Sequence, residues 1–140
     1  MAAPLRLLAL LAVPAVLAAG CGQTTKKSAV NFQGDQKAVA QAIDDLQSAG
    51  NKRDGNKICG QLLAPALVQR IQQVSKATCA SALDDRLRDV DTFEMTVQKV
   101  TVNGGNATAV VKSKAGKHDR TDTFAFVRQG ANWKISSLGR

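Results

Sequence analysis

At 140 residues, with 44% apolar side chains and a formal net charge of +8, the chain holds enough sequence for one domain of ordinary size. Apolar residues crowd the first 20 positions, and without them the apolar share falls to about 38%, still sufficient for a single core. These figures exclude a coiled coil, a collagen-like repeat, a wholly disordered chain and a multi-spanning membrane protein.

The first segment carries one basic side chain, Arg6, and then the run Leu7 to Ala19, apolar except for Pro14. As a helix this run rises about 20 Å, short of a hydrocarbon core of roughly 30 Å. Residues 1–20 therefore read as a signal peptide rather than a spanning helix. The stretch Leu17-Ala18-Ala19-Gly20-Cys21 resembles a bacterial lipobox, in which small residues precede a cysteine that is diacylated and becomes the new N-terminus. The usual leucine three places before the cysteine is here Ala18, with Leu17 one place further back. The resemblance implies lipidation of Cys21 and anchorage at the outer face of the cytoplasmic membrane. The other reading is an ordinary exported chain with a free thiol at Cys21. Residues 21–34 are mostly polar and small. They are expected to form a flexible tether reaching up to roughly 40 Å, with the folded domain at 35–140.

Two cysteines remain, Cys59 and Cys79. In an oxidising compartment they are expected to pair, which stabilises the fold by about 3 kcal/mol in the chain-entropy account. The alternative is two buried free thiols. Two thiols and the single histidine, His118, cannot complete a four-ligand metal site, so neither a metal nor a cofactor is expected.

Residues 33 to 90 have helical periodicity. Val39, Ala42, Ile43 and Leu46 form one apolar stripe, with Asp35 as a cap at the start and Gly50 as a stop. A short second helix carries Ile58, Cys59, Leu62 and Leu63. Pro65 suits the first turn of a third, whose stripe is Leu67, Val68, Ile71 and Val74. A fourth runs from Thr78 to Val90, with Cys79, Leu83, Leu87 and Val90 along one side. Its charged face offers Asp84 and Arg88 as an ion pair four residues apart. The predicted disulfide pins the second helix to the fourth.

The period then changes to two. Phe93, Met95 and Val97 alternate with polar residues, and Val100 and Val102 alternate in the opposite phase. The intervening Gln98-Lys99 therefore predicts a β-bulge. Asn103 to Asn106 is a turn, Ala107 to Lys114 a second strand and Ala115 to Asp119 a turn. Arg120 to Arg128 is a third strand, and Trp133 to Leu138 a fourth. Helices followed by a four-stranded antiparallel meander predict an α+β domain with helices on one face of the sheet.

This layout resembles the NTF2-like (SnoaL-like, cystatin-like) superfamily. The telling residues are Ile58-Cys59-Gly60-Gln61-Leu62-Leu63, the second cysteine at Cys79, and the closing Trp133-Lys134-Ile135-Ser136. They look like those of small exported lipoproteins of actinobacterial type. The resemblance implies helices packed into the concave face of a bent sheet, sometimes with acid–base side chains inside the cone between them.

No convincing acid–base dyad is found. His118 lies in a polar hairpin turn, Asp44 and Asp45 sit beside Ile43 with at least one off the apolar stripe, and Glu94 is out of phase with Phe93 and Met95. Ser136 and Ser137 have no nearby base. Gly55 to Gly60 has P-loop spacing, but Gln61 and Leu62 replace the residues that hold phosphate and metal. Phe93, Met95, Val97, Phe124, Phe126 and Trp133 either line a cone-shaped pocket for an apolar ligand or simply pack as core. Lys112, Lys114, Lys117 and Arg120 cluster near one hairpin and are candidates for contact with an acidic polymer or anionic lipid. Nucleic acid is not an expected partner, because no stacking aromatics accompany the charge. The chain is therefore expected to be an anchored, non-enzymatic module that binds a small ligand or an envelope protein, as monomer or dimer. The alternatives are an NTF2-like dehydratase, isomerase or hydrolase, or an envelope polyanion binder.

Overall fold

A computed structural model describes residues 27–139; the leader and Cys21 lie outside the described residues. Among the described residues four α-helices, with a 3-10 turn and a π-helical turn, precede four strands, in the α+β arrangement that the resemblance implies. Helix α1 spans Gly34–Asn51. Helix α2, Gly55–Lys57, opens with Asp54 accepting a hydrogen bond from the Lys57 backbone N–H and runs directly into a π-helical turn, Ile58–Leu62. Helix α3 is Pro65–Ser75, with proline in its first turn as expected. Helix α4 is Cys79–Leu87, with the Thr78 side chain capping the Ser81 N–H. Strands β1 (Phe93–Asn103), β2 (Asn106–Ala115), β3 (His118–Gln129) and β4 (Asn132–Ser137) form an antiparallel sheet in sequence order.

The core forms where the stripe of α1 meets the inner face of the sheet. Val39 and Ile43 of α1 pack with Val111, Phe126 and Ile135, all with at most 1% of their surface exposed. Each contributes about 1.5–3 kcal/mol relative to leaving it in water. The register of β1 against β2 shifts between Val97 and Lys99. Gln98 is thus the extra residue, and the predicted bulge keeps Met95, Val97 and Val100 all buried.

Polar side chains fasten α1 to the sheet from three levels. Asn51 donates to the carbonyl of Phe93 at 3.1 Å and accepts from its N–H at 2.9 Å. Gln47, buried, accepts from the N–H of Met95. Asp44, also buried, accepts from the backbone N–H groups of Ser28 and Ala29, both at 2.9 Å. The Ser28 hydroxyl in turn accepts from the N–H of Val97 at 3.0 Å.

This last linkage corrects the tether boundary. Ser28 and Ala29 are buried, and Ala29–Asn31 form a 3-10 turn packed on α1. Among the described residues the chain is therefore already packed at Ser28, ahead of residue 35, because Asp44 satisfies two backbone donors there.

Other local expectations change for equally local reasons. The N-cap of α1 is Gln33, without a side-chain bond, and Asp35 lies in the first turn. There Asp35 pairs with Arg128, whose guanidinium stacks 4.8 Å from the centre of the Trp133 ring. The helix continues through Gly50. Arg88 pairs with Asp85 at 2.7 Å rather than with Asp84. Val74, the last member of the α3 stripe, is 81% exposed. The turn between β2 and β3 is shorter than expected, with His118 already in β3 opposite Ala115.

Candidate functional site

The inner face of the sheet is longer than the helices that cover it. At the end bearing the β2–β3 hairpin, the uncovered part bounds a wide-open cavity of about 390 Å³, within the size range of small-molecule sites. Strand alternation supplies one wall: Phe93 and Met95 from β1, Ser113 and Ala115 from β2, and Arg120, Asp122 and Phe124 from β3. Leu46 and Gly50 of α1 and Ile58 of the π turn close a second side. Leu83 and Leu87 of α4, with Val90, close a third, and Leu138-Gly139 runs past β4 along its margin.

Gly50 has a specific part in this wall. A Cβ there would stand 2.1 Å from the Phe93 ring, so the missing side chain lets that ring lie against the helix. Gly139 plays a similar part at the margin. It has φ of +50°, and a Cβ would come within 2.7 Å of the Cβ of Asp122.

The walls are apolar apart from Ser113 and one ion pair, Arg120–Asp122 at 3.1 Å. The Asp122 side chain is only 13% exposed, whereas that of Arg120 is 71% exposed. The pair thus offers an acceptor inside and a cationic donor at the mouth, a fixed polar edge on an apolar chamber. Cys59 and Cys79 are joined as a disulfide across 6.1 Å between Cα atoms. The bond ties the π turn to the start of α4, holding together two of the walls that bear Ile58 and Leu83.

Of the six candidate pocket residues, the structure brings Phe93, Met95 and Phe124 to this cavity. All of the six but Phe93 are buried core side chains; Met95 and Phe124 also border the cavity, whereas Val97 and Phe126 lie deeper along the same face, beneath α1, and do not reach it. Trp133 is buried beside a separate, polar groove of about 490 Å³ that includes Asp45, Lys57, Gln61 and Lys134. Polar groups of that groove already bond one another: Gln41 donates to Asp45 at 3.0 Å, and Lys134 donates to the Gln61 carbonyl.

The four basic candidates do not form one surface. Alternation puts Lys112 and Lys114 on the outer face of the sheet, with Lys117 in the turn and Arg120 on the inner face. Lys112 pairs with Asp119 at 3.4 Å, Lys114 stands opposite both Glu94 and Asp119, and Arg120 is taken by Asp122. Acidic neighbours therefore interrupt the patch. Both Asp44 oxygens are occupied by backbone amides. His118 is exposed at the hairpin tip. Among the described residues no group of three His, Cys, Asp or Glu side chains gathers as a metal site requires.

Asp122, Leu83 and Leu87 are site residues that the sequence alone does not single out. Asp122 carried a signal, since it shares the phase of Phe124 and Phe126 in β3. A family model described as "putative lumazine-binding" matches residues 33–137. No curated protein matches the chain.

Proposed function

The chain belongs to the family described as "putative lumazine-binding", and on that premise we propose that it is a small-ligand-binding module that performs no catalysis. We further propose that it is exported and held at the outer face of the cytoplasmic membrane by an acylated Cys21. The family's description supports binding of a small molecule, and the lipobox-like sequence before Cys21 supports the anchor. The observation that carries the binding reading is the apolar cavity with a single polar edge, Arg120–Asp122. Apolar walls supply affinity, and the one charged side chain facing inward, Asp122, is already paired with Arg120, so it does not bar an apolar occupant.

A second reading, an enzyme, rests on Asp122, which faces the cavity much as an acid–base group would. Among the described residues the lining holds one other ionisable side chain, Arg120, and it pairs with Asp122 at 3.1 Å, so the carboxylate faces an ion-pair partner rather than a second acid–base group.

The test is fluorescence titration with 1-aminoanthracene, a neutral apolar probe, on protein made from residue 21 onward with Cys21→Ala. Saturable one-to-one binding is expected. Ser113→Phe, which fills the chamber from β2, should weaken it at least tenfold without lowering the unfolding midpoint. No saturable binding to the unmutated cavity, or equal binding by the filled variant, overturns the reading.

A further inference from the structure

We infer that the ligand is a single-chain anionic amphiphile, its alkyl chain in the cone and its charged head outside, between Arg70 and Arg86. This names the ligand class for the site just described and rests on that binding reading. Three observations carry it.

First, a groove of about 330 Å³ runs between α3 and α4, floored by Leu67, Ile71 and Leu83. Second, Leu83 and Leu138 line both this groove and the cone cavity, so the two apolar spaces adjoin at side chains. Leu138 is 40% exposed and follows the end of β4, free of the strand ladder that would fix it. Displacement of that one side chain would let a flexible chain extend from the cone into the groove. Third, the groove is flanked by Arg70 and Arg86. Neither has a carboxylate within 4.0 Å among the described residues, whereas Arg88, Arg120 and Arg128 each have one.

Two guanidinium groups that no carboxylate among the described residues pairs, beside an apolar trough, complement an anionic head on an apolar tail. Their planar forks suit a carboxylate or a phosphate equally. A compact neutral ligand would occupy the cone and leave the groove and both arginines unused.

The test is displacement of 1-aminoanthracene from the same Cys21→Ala protein by straight-chain carboxylates of eight to sixteen carbons, by alkyl phosphates and by alcohols of equal length. Burying each methylene is worth about 0.8 kcal/mol, so Kd should tighten roughly fourfold per added carbon beyond the length that fills the cone. Acids and phosphates should outbind alcohols at least tenfold. The double variant Arg70→Gln, Arg86→Gln should abolish that preference while leaving 1-aminoanthracene affinity unchanged. The relative strength of acids and phosphates then identifies the head. Equal binding of acids and alcohols by the unmutated arginines, or a chain-length gain that stops at eight carbons, overturns the inference. If 1-aminoanthracene itself fails to bind, the binding function fails with it; if it binds and the head-group preference is missing, only the ligand class falls.

Discussion

Asp44→Asn separates a carboxylate that holds structure from one that merely sits on a helix. In the native chain the two Asp44 oxygens each accept a backbone N–H at 2.9 Å, from Ser28 and from Ala29. Hydrogen bonds to a charged group are worth about 1.5–3 kcal/mol each. Asparagine keeps one acceptor but turns an NH₂ donor toward the second N–H. The variant loses one bond and leaves one buried donor unsatisfied, for a cost of about 2 kcal/mol. For a domain of this length that lowers Tm by about 8 °C. Denaturant unfolding followed by the fluorescence of Trp133, the single tryptophan, reads the global cost. Amide exchange reads its location: protection should fall at Ser28 and Ala29, and at Val97, whose N–H is held by the Ser28 hydroxyl. Asp45→Asn is the control. Among the described residues Asp45 accepts only from Gln41, on an exposed surface, and its loss should cost under about 0.5 kcal/mol. The reasoning is refuted if Asp44→Asn is as stable as Asp45→Asn and the Ser28 and Ala29 amides stay protected.

Three further outcomes follow from the same geometry. Reducing the Cys59–Cys79 bond, which spans 20 residues, should lower stability by about 3 kcal/mol and weaken probe binding, since two cavity walls come apart; two reactive thiols in unreduced protein would contradict the bond. Arg128→Ala removes both the stack on Trp133 and the pair with Asp35. It should cost about 1 kcal/mol and move Trp133 emission to longer wavelength, and unchanged emission would argue against the stack. Docking at Ser28 leaves six residues between it and Cys21, seven Cα steps with a reach of about 25 Å, so neutron reflectometry of acylated protein on a supported bilayer should find the domain within that distance of the headgroups. A wider gap would contradict either the anchor at Cys21 or the docking.

The parts legible in the sequence were those governed by local period. The α1 stripe, the proline opening α3, the change to strand alternation and the bulge at Gln98 each follow from side chains within a few residues of one another. The site was legible only by halves. Phe93, Met95 and Phe124 announce an inward face, but nothing local says how far along that face the helices reach, and that distance separates Phe124 at the cavity from Phe126 in the core. The α4 stripe reads as core for the same reason: Leu83 and Leu87 have the period of a buried face, and only the packing of α4 beside an uncovered stretch of sheet makes that face a cavity wall. Asp44 and Asp122 show the limit most sharply. Both are carboxylates on apolar faces, one on a helix and one on a strand. What distinguishes them is which donor arrives from elsewhere in the chain. For Asp44 it is two backbone amides 15 and 16 residues away, which leave neither oxygen free of a backbone donor. For Asp122 it is a single arginine two residues away, largely exposed, which leaves the carboxylate facing the chamber. The first partnership builds the fold, and the second leaves a polar edge on an otherwise apolar cavity.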